Sequence, residues 1–95
     1  MLDIKLVDRL NEIADFDQDG GIQVNVEGIG VDLSTYIEHP KKAEIKTTDY
    51  YLVIAHYGRI KLDKIVFTDF EEDAEMKKLT IKTENLHLTF AGYQL

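Results

Sequence analysis

The sequence predicts an α+β fold: an N-terminal amphipathic helix packed on a curved, mostly antiparallel sheet of six or seven short strands, the sheet open or partly closed into a barrel. Three observations carry this expectation. Apolar residues repeat with helical spacing over residues 3–14. After Gly20-Gly21 the period switches to two, the pattern of strands with one wet face. Short turn signals at Gly28, Gly58 and Glu84-Asn85 then separate the alternating runs.

Taken in order, Leu6, Leu10, Ile13 and Ala14 fall on one helical face, with Leu2 and Val7 flanking. Lys5, Asp8, Arg9, Asn11 and Glu12 lie mostly opposite, and Asp3 is placed to cap the N-terminus. The acids and paired glycines of residues 15–21 stop the helix. Ile22, Val24 and Val26 alternate with polar residues, and Ile29, Val31 and Leu33 alternate again after Glu27-Gly28. This reads as a hairpin, although a single bulged strand fits the same change of parity. Pro40 forces His39 out of helical geometry and makes residues 34–42 a connection, with one helical turn from Ser34 as an alternative for its start. Ala43, Ile45 and Thr47 begin the next strand.

Residues 49–70, DYYLVIAHYGRIKLDKIVFTDF, are the organising stretch. They read as an antiparallel hairpin turning at Gly58 at the centre of the sheet. Residues 50–57 are apolar on both parities, as expected of a strand covered on both faces, with the helix on one side. The parity shift at Asp63-Lys64 predicts a β-bulge. Residues 69–78 read as a hairpin loop or a turn or two of helix. Leu79, Ile81 and Thr83, then Leu86, Leu88 and Phe90, make the last two strands.

The 95 residues fit one domain spanning 1–95, long enough for a core without staples. At 44% hydrophobic and 31% charged the chain is expected to fold rather than remain disordered. It has no cysteine, which excludes disulfides, thiolate nucleophiles and Cys-based zinc sites. No apolar run approaches the ~18 residues of a membrane-spanning helix, and the charged N-terminus is unlike a secretion signal. A cytoplasmic protein without a membrane partner is the expectation.

Net charge is −7, from 18 acids and 11 bases. Phosphate backbones repel such a chain, so direct nucleic-acid binding is not expected. Tyr36, Tyr50, Tyr51, Tyr57 and Tyr93 are read as core-rim residues, and Arg59 and Lys61 share one face of the return strand. Ser34 is the only serine and lacks a glycine elbow. His39, His56 and His87 have no partner at metal-ligand spacing, and the strand histidines are read as packed, singly bonded side chains. No phosphate-cradling loop is present. The inventory is that of a non-enzyme.

Asp15-x-Asp17-x-Asp19-Gly20 places three carboxylates at alternate positions before a glycine. It resembles the opening half of an EF-hand calcium loop. The resemblance implies Asp15, Asp17 and Asp19 as ligands to Ca²⁺. The twelfth loop position is Val26 where that loop carries a bidentate Glu, and a strand replaces the second helix. The competing reading is a solvated acidic helix stop, with no cofactor.

The acidic stretch supplies the leading functional expectation. Asp69, Glu71, Glu72, Asp73 and Glu75 surround Phe70, with Met76 beside them. Such a run is a solvated face by default. It is also an acidic patch with an apolar anchor, suited to a basic partner surface. Spaced carboxylates can mimic DNA phosphates, as in several families of small inhibitors carried by phages, an analogy of charge and not of fold. The first expectation is thus a non-enzymatic protein-interaction domain, bacterial or phage-derived, binding a protein partner through Asp69, Phe70, Glu71, Glu72, Asp73 and Glu75 and through exposed sheet edges. A calcium-stabilised domain is the second. A homo-oligomeric structural protein, formed by sheet-edge pairing or helix contact, is the third.

Overall fold

The computed structural model describes residues 5–38, 40, 45–48, 50–54 and 57–94. The expected cap at Asp3, the flanking Leu2, the strand start at Ala43 and Glu44, and the histidines His39 and His56 lie outside the described residues, as do Asp49, Ala55 and Leu95.

Helix α1 (Lys5–Phe16) buries Leu6, Leu10, Ile13 and Ala14, the face that the 3.6-residue spacing defines. Eight strands follow: β1 (Ile22–Gly28), β2 (Val31–Ile37), β3 (Ile45–Thr47), β4 (Tyr51–Ile54), β5 (Gly58–Lys61), β6 (Ile65–Glu72), β7 (Met76–Thr83) and β8 (Leu86–Tyr93). Their pairings are antiparallel. They form a five-stranded sheet, order β2-β1-β8-β7-β6, and a three-stranded sheet, order β3-β4-β5. Neither closes into a barrel among the described residues.

Register sorts the large sheet into two faces. One row across all five strands is Thr35, Val24, Phe90, Leu79 and Phe70, and the next matching row is Leu33, Val26, Leu88, Ile81 and Thr68. The row between them is Ser34, Asn25, Thr89, Thr80 and Asp69, and the row beyond is Asp32, Glu27, His87, Lys82 and Phe67, polar except for the last. Period-two side-chain direction thus puts the apolar rows on one inward face. Helix α1 packs on that face over β8, β7 and β1 and against β3 of the small sheet. Leu52, Ile54 and Leu62 join the same buried cluster as Leu10, Ile13, Ile22 and Phe90.

Helix and strand meet closely at Gly92. A Cβ added there would lie 2.5 Å from the Ile13 carbonyl oxygen and 3.1 Å from Ile13 Cγ2. Glycine is what lets the helix backbone rest directly on β8.

The organising stretch is divided between the sheets. Only β4 and β5 form the expected hairpin, and they belong to the small sheet, while β6 leaves to become an edge of the large one. At the expected bulge the chain instead changes sheets: Lys64 takes φ 56°, an unfavourable left-handed conformation, and Leu62 plugs the core beside it. A parity shift in sequence is the same for a bulge and for a change of sheet. The bulge itself comes one step later, between Ile65 and Phe67. The centre of the large sheet is β8, and the helix packs there rather than over β4 and β5. Leu52 and Ile54 are buried, but Tyr51 and Val53 are only half-buried, so β4 is covered fully on one face.

Two hairpins resolve open alternatives. β1 and β2 pair over their full length around Ile29-Gly30, so no single bulged strand spans them. Residues 69–78 are strand, tight loop and strand, with no helical turn.

Gly92→Ala is expected to destabilise the protein by about 1–3 kcal/mol, since the added methyl group must displace helix backbone. Ile29→Ala at the exposed β1–β2 tip should change stability by less than about 0.5 kcal/mol. Urea unfolding of both variants measures the difference.

Candidate functional site

The residues singled out by sequence lie in two regions. The first is the helix stop. Asp17 is 8% exposed, and its carboxylate is occupied by the protein itself. Oδ2 accepts the Tyr36 hydroxyl at 2.5 Å and the backbone N–H groups of Asp19 at 3.1 Å and Gly21 at 3.2 Å. Oδ1 accepts the Tyr93 N–H at 2.9 Å. Gly21 allows this convergence, because a Cβ there would lie 2.4 Å from the Tyr36 ring and hydroxyl. Burial pushes the Asp17 carboxyl up, but these four donors outweigh it and hold it below its ordinary value. Burial and then the Asp17 bond push Tyr36 up to about 12. Asp15 and Asp19 are exposed, and no group of three acidic or imidazole side chains converges at metal-holding geometry among the described residues. The arrangement holds α1, β2 and β8 together and does not bring Asp15, Asp17 and Asp19 to one point.

The second region is the acidic hairpin. Strand alternation splits it. Asp69 and Glu71 stand on the outward face of β6 opposite Thr80 and Lys78, with Glu71 4.0 Å from Lys78 Nζ. Phe70 turns inward, half-buried, with the Arg9 guanidinium 4.2 Å above its ring. Glu72 lies 3.6 Å from Lys77, which also reaches Glu12 at 3.1 Å. The hydrogen bonds from Lys77 and then Arg9 lower the Glu12 pKa. Asp73 builds the loop: its Oδ1 accepts the N–H groups of Glu75 at 2.8 Å and Met76 at 2.9 Å. Glu75 is exposed at the tip. The six residues therefore do not present one acidic patch. Asp69 and Glu71 remain together on an accessible outward face, along an edge strand.

That edge carries a feature the acidic run obscured. Ile65, Val66 and Phe67, at 37%, 65% and 47% exposure, precede Asp69 on the same strand. No strand pairs with the far side of β6 among the described residues. On its inward side β6 and α1 flank a hollow of about 300 Å³, lined by the apolar Leu6, Ile65, Phe70, Leu79 and Ile81 and by the polar Lys5, Arg9, Thr68 and Asp69. The sequence signal for this edge is the unbroken apolar run 65–67, which a central strand would carry equally.

The other candidates are dispersed. Ser34 Oγ accepts Gln23 Nε2 at 2.9 Å on exposed β2. His87 is exposed between Glu27 and Lys82. Arg59 and Lys61 share the outer face of the small sheet, with Arg59 4.6 Å above the Tyr51 ring, while Lys64 lies 3.6 Å from Glu84. Comparison of the chain with protein-family models, with curated proteins and with solved structures finds no match in any of the three.

Stability should fall at both ends of the pH range. The lowered Asp17 pKa gives a contribution complete above the ordinary value of 3.8 and lost as pH falls through the folded value. The raised Tyr36 pKa gives one complete below pH 10.0 and lost as pH rises towards about 12. Tyr36→Phe should remove the alkaline loss, and Asp17→Asn should cost about 3 kcal/mol by turning an amide towards N–H donors. Melting temperature against pH measures both effects; an unchanged alkaline flank in Tyr36→Phe would contradict the assignment.

Proposed function

We propose that this protein is a non-enzymatic interaction module that captures an extended segment of a partner protein by strand addition along β6. The observation that carries the reading is the free edge itself: eight residues without proline, with Ile65, Val66 and Phe67 exposed and Asp69 and Glu71 following. Exposed edges of this kind pair with another chain unless blunted, and beyond the bulge between Ile65 and Phe67 the stretch from Phe67 to Glu72 keeps regular register for such pairing. In strand addition, backbone hydrogen bonds provide affinity and alternate side chains provide specificity.

The two sides of β6 specify the partner's chemistry. An added strand sends alternate side chains to opposite faces. On the inward side they meet the mainly apolar hollow beside α1. On the outward side they meet Phe67, Asp69 and Glu71. The complementary segment alternates apolar and basic residues. The net charge of −7 steers such a segment towards the protein and repels acidic ones. The non-enzymatic part of the reading rests on Ser34 lacking an elbow and on a histidine, His87, that faces Glu27 and Lys82 without a nucleophile beside it.

A capped peptide alternating valine and lysine should bind in fluorescence anisotropy, and one alternating valine and glutamate should not. Val66→Lys should weaken the basic peptide by about tenfold while leaving the melting temperature unchanged. Phe67→Lys should weaken it as much at a lower melting temperature, because it sets a second lysine opposite Lys82, whose ammonium lies 5.2 Å from the Phe67 ring. Asp69→Asn with Glu71→Gln should flatten the salt dependence. Equal binding of both peptides, or no effect of the edge variants, overturns the proposal. A dimer in light scattering that Val66→Lys dissociates would instead give the edge to a second copy of the chain.

A further inference from the structure

A second opening lies across the sheet from β6, between the two sheets. Val24, Val26, Leu33 and Ile37 of β1 and β2 face Leu52, Ile54 and Ile60 of β4 and β5 around a cleft of about 250 Å³. Register explains why the walls are apolar: these residues occupy the inward positions of their strands, and Leu52 pairs with Ile60 on the matching face of the small sheet. Arg59 borders the cleft only at its base. It pairs with Val53 on the opposite face, where its guanidinium lies over Tyr51. No charged side chain is directed into the space among the described residues.

Two hydroxyls stand at the cleft. Thr35 is on the inward face of β2, level with Val24, and makes no side-chain hydrogen bond among the described residues. Tyr57, beyond the end of β4, accepts the Glu38 N–H at 3.4 Å, so its ring spans from the small sheet to the end of β2. Leu33 is 63% exposed although its strand position faces inward, which leaves the mouth open beside it.

The geometry points to a binding site for a small neutral molecule, largely apolar with one hydroxyl or carbonyl end, held between the two sheets. Size follows from volume. A cavity of about 150 Å³ lined by aliphatic and aromatic side chains accepts benzene, so this cleft suits about ten heavy atoms. Neutrality follows from the walls, since an unpaired charge placed among them would lose its hydration without compensation. The polar end follows from Thr35 and Tyr57, which offer a donor and acceptors at the rim. An apolar pocket with a few convergent polar groups is the usual form of a small-molecule site. This inference does not involve β6 and stands apart from the strand-addition reading.

The test is methyl-resolved NMR titration with 1-octanol, with octanoate and indane as comparison probes. Saturable shifts are expected at Val24, Val26, Leu33, Leu52, Ile54 and Ile60, with octanoate at least about a hundredfold weaker. Leu33→Trp fills the mouth from an exposed position and should weaken 1-octanol by about tenfold or more at unchanged melting temperature. Thr35→Val should weaken 1-octanol about fivefold and leave indane unchanged. Shifts that never saturate or centre on other residues overturn the site. Equal binding of octanoate overturns the neutral ligand class, and an equal effect of Thr35→Val on both neutral probes overturns the role of its hydroxyl.

Discussion

The carboxylate of Asp17 is the constraint on which the rest of the arrangement depends. A buried charge is tolerated only when its hydrogen-bonding capacity is met. Here the donors come from the turn after α1, from Tyr36 on β2 and from Tyr93 on β8. The end of the helix is thereby tied to an edge strand and to the central strand of the large sheet. The backbone bond from Gln18 to Tyr93 and the side-chain bond from Gln94 to the Phe16 carbonyl strengthen the same junction. With its C-terminal end fixed there, and with Gly92 admitting the helix backbone at Ile13, α1 can lie only across β8 and its neighbours.

The helix is narrower than a five-stranded sheet. A helix with its side chains is about 10–12 Å across, whereas strands lie about 4.8 Å apart. The small sheet covers part of what remains on the β1–β2 side, against the inward residues Val24, Val26 and Ile37. On the β6 side the helix leaves a hollow over Phe70 and Ile81. Uneven cover of one apolar face thus generates both openings from which functional readings arise. They differ in chemistry because their borders differ. The β6 side is a backbone edge unpaired among the described residues and lined by Asp69 and Glu71, the kind of border that strand addition would use. The β2 side is an apolar gap between two sheets, open beside Leu33, the kind of border that a small molecule would enter.

Charge is distributed by the same geometry. Lys77 and Lys78 on β7 lie across from Glu72 and Glu71 on β6, so the cross-strand ladder neutralises part of the acidic stretch. Asp73 is committed to the loop. The acidic run therefore has less free charge than its composition suggests, and what remains useful is its alternation along the strand. The glutamates of these pairs are exposed and the lysines half-buried, and pairs open to water on one side contribute about 1 kcal/mol or less each.

Residues 34–37, expected as part of a connection, extend β2, and residues 69–72, expected as loop or helical turn, extend β6. Local pattern in the sequence determined the buried face of α1, the cores of the strands from Ile22 onward, the antiparallel pairing, and the turn at Glu84-Asn85. These are legible because helical and strand periods are expressed within a few residues. The assignment of strands to two sheets was decided only by the tertiary structure. At Asp63-Lys64 a change of parity looks the same whether the strand bulges or departs, and the left-handed Lys64 and buried Leu62 settle it as departure. The same limit governed the sites. Acids at 69–75 were visible as composition, but their division between two faces, and the exposure of Val66 and Phe67, follow from β6 being an edge. Asp17 was visible as one of three alternate acids at a helix stop. Its partners Tyr36 and Tyr93 lie 19 and 76 residues away in sequence. No local period encodes a contact of that span, because only the pairing of β2, β1 and β8 in one sheet brings both donors to one carboxylate.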